Sequence, residues 1–576
     1  MDKKALLAFI LCAIVTIYMF QFLQPAKFPE GEEKEVVSEE MVTVKEKREL
    51  DTFAAAQEEQ GTKDLGMDVA QEEVELQDAI VLQNDVIRSV WTNSGAALKS
   101  AVLTAFKEPG KRQVLELLKP AKRDFLPLSL RLQDDKYHLK IRRYKVVEQS
   151  SNRIVFTTLL ENGLRITKDI SLNEGKYFFD IKIILENVTG VDLTTSYSII
   201  ASNGIYPEYD SYSGLGSVAG IDVGHDKVKL FRTDYKDLPY KNESVGISWA
   251  GSVNKYFASI LKSSTNGVIT TSESSLFENN DPLYDKDFTV SLQTNKVVIP
   301  PQGEERHGWL FFLGPKKEEF LNQSEGLSVL LDYGWTTAIC KVLVKILNTF
   351  YSVIPNYGIA ILLLTILVKL VLFPLTRKSQ MSMFKMQRLQ PLIGQLKEKY
   401  KGDKQRMGQE QMKLFKEQGV NPMSGCLPIV FQMPVFFALF RTLQLSFEMR
   451  QTPFVAWIDD LSMPDTLIQL SFSMPFLGDG VNVLPLVMGI ASFVQMKLTP
   501  KTGGGDDPQA KMQQKMMQIM PLIFPLILYK FPSGLTLYWT TSTLISICEQ
   551  MFIRRSVKKI DVYYKGKRVI TGKTAE

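Results

Sequence analysis

The chain has 576 residues, enough for several domains, and 68 Lys/Arg against 63 Asp/Glu give a net charge of +5 at pH 7. This small value conceals a strong segregation of acidic and basic residues along the chain. The four cysteines show no CxxC spacing and none lies near the three histidines, the last of which is His307. This argues against a disulfide framework, a zinc site and any histidine-dependent reaction further along the chain.

The first apolar segment, Ala5–Leu23, has 19 uncharged residues and follows Lys3 and Lys4. It is long enough to cross a membrane as a helix. A cleaved signal peptide is the alternative, but Phe22–Pro25 is a poor match to the small-x-small pattern of a cleavage site. We therefore predict an uncleaved transmembrane anchor over residues 1–24.

An acidic segment follows the anchor. From Lys27 to Asp78 there are 17 acidic and 6 basic residues, with few aromatic ones. Such a composition cannot bury enough apolar surface to offset the entropy of ordering the chain. We predict that residues 25–75 form a disordered tether.

Beyond the tether, apolar and polar residues alternate with the period of two that is typical of half-buried strands. Leu164–Leu172 alternates except at Lys168, and Phe179–Glu186 and Phe288–Leu292 follow the same pattern. Turn residues between such segments predict a large antiparallel, β-sandwich-like domain over residues 76–325. Its sequence has no Ser/His/Asp or paired-carboxylate arrangement, which favours a binding or spacer module over an enzyme.

Residues 326–356 connect this domain to the apolar C-terminal part of the chain. Within Trp335–Val353 apolar residues recur at helical spacing, while Lys341, Lys345 and Asn348 fall on the other side. This pattern predicts an amphipathic helix that lies on the outer membrane surface.

Five further apolar runs form a predicted helical core over residues 357–553. They are 357–375, 426–445, 483–498, 516–531 and 535–552. The segments after the first and third runs, and the tail, are rich in Lys and Arg, whereas Ser446–Asn482 has only Arg450. The positive-inside rule then predicts six spans with both termini in the cytoplasm and residues 24–356 outside it. The expected fold is an α-helical polytopic membrane protein that carries an extracytoplasmic all-β domain.

Two of these runs are short. The third and fourth have about 16 residues, or about 24 Å of helix, against a hydrocarbon core of about 30 Å. Either their limits extend further than the apolar pattern indicates, or the bilayer is locally thin around them.

Lys369 lies within the first of the five runs, among apolar residues. A charge at this depth costs about 2.5–3.5 kcal/mol on insertion scales, so it usually serves a function in a wet cavity. The alternative is that its side chain extends to the interface near Arg377. That residue is about 12 Å further along the helix, roughly twice the reach of a lysine stem. We therefore predict a hydrated groove around Lys369.

Other polar residues in the five runs are candidates for the same groove. They are Thr365, one turn before Lys369, and Gln432, Gln495, Tyr538 and Trp539. Small polar residues between membrane helices often only hold the helices together, and this alternative stays open for each of them.

The basic segment 377–420 predicts an antiparallel helical hairpin in the cytoplasm, divided at Gly402 and bent at Pro391. Methionine gives an adaptable apolar surface for varied partners, although filling the hairpin's own core is the alternative. The methionines at the start of the hairpin are Met381, Met383 and Met386.

Six short motifs follow one another through the C-terminal part of the chain. They are Asp332–Trp335, Val368–Thr376, Gln390–Pro391, Asn421–Cys426, Gln432–Pro434 and Phe531–Leu535. With the order of spans and hairpin, they resemble the YidC/Oxa/Alb family of membrane protein insertases, in its bacterial six-span YidC form. The similarity covers Tyr333 to about Arg555. The β domain resembles the periplasmic domain of the Gram-negative members by position and pattern.

The resemblance implies an insertase of the bacterial inner membrane, with the β domain in the periplasm. It implies that a positive residue of the second span, here Lys369, lies in a hydrophilic groove open to the cytoplasm and to lipid. Many bacterial members have arginine there, and lysine lacks its bidentate fork. Thr365, Tyr538 and Trp539 match groove or substrate-contacting positions, and Gln495 matches more loosely.

The implied mechanism is physical and not enzymatic. A nascent apolar segment with a short acidic or polar flank meets the hairpin, its flank enters the groove, and the segment then moves into lipid. No nucleotide, metal or other cofactor is expected, and the sequence has no Walker loop. The expected partners are nascent membrane proteins, the Sec translocon with its accessory subunits, membrane lipids, and the ribosome with the signal-recognition targeting machinery. The basic tail 554–576 suits ribosomal RNA or anionic headgroups.

Two other functions are weighed against the insertase. A secondary transporter could also use a lysine at the membrane midplane, but it should show paired internal repeats and broken helices. No repeat is recognisable in the sequence. An intramembrane protease needs a Ser/His or paired-Asp site, whereas Glu549 is the only acidic residue in the five C-terminal runs.

Overall fold

The computed structural model describes residues 74–570 with internal gaps. The gaps are 109–112, 119–124, 133–134, 206–214, 223–227, 235–236, 239, 243–245, 266–268, 279–285, 332, 401, 422–426, 475–476, 500–522, 558–561 and 565–566. The predicted anchor, nearly all of the predicted tether and the first part of the fourth C-terminal run lie outside the described residues.

The described part of the N-terminal half is built from β-strands. They are β1 Ile80–Gln83, β2 Ile87–Thr92, β3 Ala97–Lys107, β4 Val114–Leu118, β5 Leu130–Leu132, β6 Lys145–Gln149, β7 Arg153–Leu159, β8 Leu164–Leu172, β9 Phe178–Asn187, β10 Leu193–Thr195, β11 Tyr197–Ser202, β12 Gly216–Asp222, β13 Val228–Asp234, β14 Tyr240–Asn242, β15 Trp249–Val253, β16 Phe257–Ser263, β17 Ile269–Glu278, β18 Lys286–Thr294, β19 Val297–Ile299 and β20 Glu304–Pro315. The three segments predicted from their alternation, in β8, β9 and β18, are confirmed as strands.

These strands form three larger antiparallel sheets around one hydrophobic core. The nine-stranded sheet has the order β13-β12-β15-β16-β20-β9-β8-β7-β6, the five-stranded sheet β14-β17-β18-β11-β5 and the four-stranded sheet β1-β2-β3-β4. β11 and β18 pack across the layers against β15 and β16. Trp91, Trp249 and Trp309 are fully buried in the shared core. A large all-β domain is therefore confirmed.

Lys168, the exception in the alternating pattern of β8, faces this core with its neighbours. Its side chain is 1% exposed, and its Nζ donates to the carbonyl oxygens of Gly95, Ala96 and Leu128 at 2.9, 3.1 and 2.7 Å. The backbone at all three acceptors has a positive φ, of 74°, 46° and 66°. The lysine therefore joins two unusual turns to β8, which accounts for a charged residue at a core position.

The C-terminal part of the described chain is mainly helical. The helices are α1 Glu318–Leu321, α2 Thr337–Val353, α3 Tyr357–Arg388, α4 Gln390–Lys399, α5 Lys404–Glu417, α6 Leu427–Leu445, α7 Val483–Leu498 and α8 Ser533–Val557, with two hairpins of β21 Thr466–Met474 with β22 Gly478–Asn482 and β23 Val562–Tyr564 with β24 Lys567–Ile570. Among the described residues, α3 alone is long and apolar enough to cross a membrane, and α7 is apolar but shorter.

α3 corrects the predicted start of the hairpin. It continues past Leu375 to Arg388, without a break at the basic residues that follow the apolar run. Pro374 lies inside the helix, and the chain turns only before Pro391, which occupies the first turn of α4. α4 and α5 then form the two halves, separated at Gly402, whose φ of 111° suits glycine.

α2 spans most of the segment that is predicted to be an amphipathic helix. Part of its apolar side packs against protein, because Cys340, Leu343 and Leu347 are buried and the Cys340 thiol donates to the Ala438 carbonyl of α6 at 3.3 Å. Ile339 and Val342 remain exposed on the same helix.

Candidate functional site

Lys369 lies on α3 where this helix packs against α8. Its Nζ donates a 2.7 Å hydrogen bond to the Oγ of Ser546, on α8. The carboxylate of Glu549, three residues further along α8, interacts electrostatically with Lys369, but the two groups are not in ion-pair contact. The lysine is thus held by a neutral hydroxyl, with its opposite charge nearby and out of direct contact.

A second contact joins α8 to α6. The Gln432 Nε2 donates a 2.9 Å hydrogen bond to the hydroxyl of Tyr538, which is almost fully buried. Since each group lies on an apolar helix, the bond satisfies two polar side chains that would otherwise be costly to bury. The structure therefore brings together two of the predicted site residues.

Trp539 forms an apolar wall next to this contact. Its ring centroid lies 4.4 Å from that of Phe524 and 5.0 Å from that of Phe436, on α6. Thr365 is fully buried on α3, and its hydroxyl donates to the Ile361 carbonyl of its own helix at 2.6 Å. The hydroxyl proton of Thr365 is therefore used within the helix.

Gln495 lies near the end of α7, half-buried, and within the described part of the chain its side chain makes no hydrogen bond to Lys369 or Tyr538. The three candidate methionines are half-buried on the extension of α3. Met381 packs against Phe384 and Ile553, and Met386 packs against the core of the hairpin. Two of the three thus fill gaps between helices.

Comparison with known proteins identifies the family. Residues 79–346 match the model of the YidC periplasmic domain, and residues 349–560 match that of the 60Kd inner membrane protein. The membrane protein insertase YidC of Syntrophus aciditrophicus is 32% identical, over 96% of this chain and 100% of its own length. That of Syntrophobacter fumaroxidans is 36% identical over 71% and 72%.

The chain belongs to the YidC family of membrane protein insertases. Among solved structures, a crystal structure of an active YidC insertase with its first transmembrane domain resolved is 22% identical, with 82% of this chain and 92% of that chain covered and a TM-score of 0.32. Membrane protein insertion is therefore the activity for which the site must account.

On α3 and α8, the two helices that meet at Lys369, three buried acceptor oxygens have no hydrogen-bond partner among the residues that the structure describes. They are Oε1 of Gln380 on α3, and Oε2 of Glu549 and Oε1 of Gln550 on α8. Buried polar atoms almost always bond to protein or to water. The helix pair that carries Lys369 thus presents acceptors for a donor from elsewhere.

Ser546 was not predicted as the partner of Lys369. The signal was present, because Tyr538, Ser542, Ser546 and Glu549 recur at helical spacing and form a polar stripe on α8. Within the described residues, no group of three or more His, Cys, Asp or Glu side chains could hold a metal ion.

Proposed function

We propose that Lys369 attracts the polar or acidic flank of a nascent membrane protein into a hydrated groove between α3, α6 and α8. The observation that carries this proposal is the bond of Lys369 to the Ser546 hydroxyl, with no carboxylate in direct contact. A half-buried cation whose direct partner is neutral can still attract a third group. An acidic residue of a substrate is such a group.

Water in the groove is supported by unpartnered acceptor oxygens on the two helices that form it, those of Glu549 and Gln550 on α8 and that of Gln380 further along α3. A buried acceptor without a donor costs about 1–3 kcal/mol, so three of them favour a site that water or the backbone N–H groups of a peptide can reach. A hydrated site lowers the cost of bringing a polar flank to the depth of Lys369, because the flank keeps part of its hydration.

The apolar part of a substrate requires a different surface. Phe436, Phe524 and Trp539 form an aromatic wall beside the polar stripe of α8, and Leu370 and Val371 of α3 are exposed next to Lys369. We propose that the segment moves past α6 and the run 516–531 into lipid while its flank is held in the groove. Hydrophobic transfer supplies the driving force, at roughly 25 cal/mol per Å² of apolar surface.

The surrounding architecture is also part of the proposal. We infer six spans, with both termini in the cytoplasm and the β domain in the periplasm, from the Lys/Arg content of the loops. Met383, half-buried on the extension of α3, suits contact with varied apolar segments, whereas Met381 and Met386 pack between helices. A ribosome with its targeting machinery would deliver the substrate on the cytoplasmic side, and the Sec translocon would be a neighbour in the membrane.

The test is insertion of a single-span substrate with an acidic flank into vesicles that contain the purified protein. Lys369→Ala should lower the fraction of substrate that is inserted, and so protected from added protease, by about tenfold. This is the equivalent of about 1.4 kcal/mol of lost attraction. Lys369→Arg should retain it, since the charge is kept. Lys378→Ala, which removes an exposed charge of the same helix, is the matched control. Equal insertion by all of these proteins would refute the role of the groove charge.

A further inference from the structure

Two features of Glu549 are unexpected for a residue that faces lipid or only supports helix packing. It is the only acidic residue in the five C-terminal apolar runs, and it lies on the polar stripe of α8 next to Lys369. Its Oε2 is buried without a hydrogen-bond partner among the described residues. A carboxylate oxygen is a strong acceptor, so this is a costly state for a group with no further role.

The Lys369 ammonium and the Glu549 carboxylate are not in contact, but they are close enough to interact electrostatically. Ser546 occupies the direct contact with the Lys369 ammonium at 2.7 Å, and Glu549 acts on the lysine through space from the next turn of α8. In a low-dielectric site, charges interact strongly even without contact. The charges of Lys369 and Glu549 therefore nearly cancel in sum. Because the two side chains are not in contact, each can still interact with a charged group of a substrate.

We propose that Glu549 is the internal counter-charge of the groove, and that it sets which flank charges the insertase accepts. This inference rests on the proposed role of Lys369. An acidic flank must compete with Glu549 for Lys369, which moderates its binding and allows its release. A basic flank meets a carboxylate as well as an ammonium, which lowers the repulsion that Lys369 alone would exert.

Specificity is a difference of affinities, so the prediction concerns the ratio between the insertion of acidic-flank and basic-flank substrates. Without Glu549, an acidic flank should bind more tightly and a basic flank should be repelled. A residue that only supports the packing of α8 would change the insertion of all substrates by the same factor.

The experiment compares three single-span substrates that differ only in flanks of two Asp, two Asn or two Lys residues. Each is inserted into vesicles that contain the full-length protein. Glu549→Gln should raise the ratio of acidic to basic insertion by about fivefold or more, a typical coupling between two ligands of one site. Glu549→Asp, which keeps the carboxylate, should stay close to the wild-type ratio.

Gln550→Glu adds a negative charge to α8, whereas Glu549→Gln removes one. It therefore tests the same proposal even if Glu549→Gln does not fold. It places a second carboxylate on the buried side of α8, so the ratio of acidic to basic insertion should fall. An unchanged ratio in the variants that fold overturns the role of Glu549. If Lys369→Ala nevertheless loses insertion of the acidic substrate, the groove charge stands and only the counter-charge fails. If Lys369→Ala is also fully active, both proposals fail.

Discussion

A buried lysine and a half-buried lysine in this chain are satisfied in different ways. Lys168 in the β domain donates to three backbone carbonyls, which use every proton of its ammonium. Among the described residues, Lys369 donates one hydrogen bond, to a hydroxyl. The first arrangement is complete without a ligand and fits a structural role, whereas the second retains donor capacity within a helix of a membrane protein. The partners of the two ammonium groups therefore distinguish the structural lysine from the lysine that we propose to act on substrate.

Lys168 should make the stability of the β domain depend on pH. Burial lowers its pKa to about 7, against about 10.4 for an unfolded lysine. Between these values the unfolded chain binds a proton that the folded chain lacks, so stability should rise with pH above 7, by at most about 1.4 kcal/mol per unit. Below pH 7 both forms are protonated and this dependence ends. Pulse proteolysis in urea on the detergent-solubilised protein would measure it.

Lys168→Met is the control for this dependence. It should be less stable at every pH, because three carbonyls lose their donor, and it should lack the part of the pH slope that comes from Lys168. Burial also lowers the pKa of Lys316 to about 7. Because Lys316 is present in both proteins, the difference between them isolates Lys168. Parallel curves for the two proteins would contradict the prediction.

The bond between Gln432 and Tyr538 should contribute measurably to helix packing. Tyr538→Phe removes the acceptor and leaves the half-buried Gln432 amide without this partner, which we expect to cost about 0.6–1.7 kcal/mol, the range for polar contacts between membrane helices. Equilibrium unfolding in mixed micelles would measure the loss. Gln432→Leu combined with Tyr538→Phe should cost less than the sum of the single changes. Additive costs would show that the contact is not coupled.

At the scale of elements, local patterns were sufficient wherever one periodicity dominates. The alternation of Leu164–Leu172 and the glycine at position 402 predicted β8 and the division between α4 and α5. The extension of α3 to Arg388 was missed because a change from apolar to basic residues alters the environment of a helix without breaking it. The β21–β22 hairpin was missed because consecutive apolar residues, such as the exposed Leu467 and Ile468, hide the alternation.

The contacts between elements were beyond local reasoning. The bond of Lys369 to Ser546 joins residues 177 positions apart, so no single window of sequence contains it. The predicted groove residues differ in whether the structure brings them together. Gln432 and Tyr538 meet because two helices pack together there, whereas Gln495 makes no hydrogen bond to either of them among the described residues. A polar residue in an apolar run predicts a polar environment but does not identify the partner.

The start of α5 offers a test of an element in isolation. The Asp403 carboxylate caps this helix by accepting from the Arg406 amide at 2.9 Å. Asp403→Ala should cost about 1 kcal/mol, and hydrogen exchange in the first turn of α5 should accelerate about fivefold. Asp403→Asn keeps a side-chain acceptor and should exchange like the wild type. Equal exchange in all three proteins would show that tertiary packing alone holds the helix.

At the scale of the whole molecule, the segment after α6 is fastened to the β domain. Phe447 lies in the core of that domain, with ring centroids 5.2 Å from Phe106 and 5.4 Å from Phe257. The Arg450 guanidinium covers the ring of Phe257 at 5.1 Å and donates to the Lys107 carbonyl at 2.7 Å. Because this segment directly follows α6, the β domain is connected to the helix that carries Gln432.

This attachment predicts a local effect of Phe447→Ala. The loss of a buried phenylalanine costs about 3–5 kcal/mol when its site cannot collapse. The β domain keeps its own large core, so we expect the attachment to loosen while the strands stay folded. Arg450, which is 7% exposed, should then become accessible, and trypsin should cleave after it more rapidly than in the wild type. Unchanged cleavage would show that the other contacts suffice.

The same attachment determines how the β domain can be removed. A protein without residues 80–315 should still insert substrate, because the contacts of Lys369 lie entirely between α3 and α8. The deletion exposes Phe447, however, and an exposed aromatic patch favours aggregation. We therefore expect the deletion protein to be monodisperse and active when it also carries Phe447→Ser, and to aggregate without that change. Gel filtration and the insertion assay with the acidic-flank substrate would measure both. If the deletion protein with Phe447→Ser is well folded but inert, the β domain takes part in insertion, since the lysine, the serine and the helices that position them are all still present.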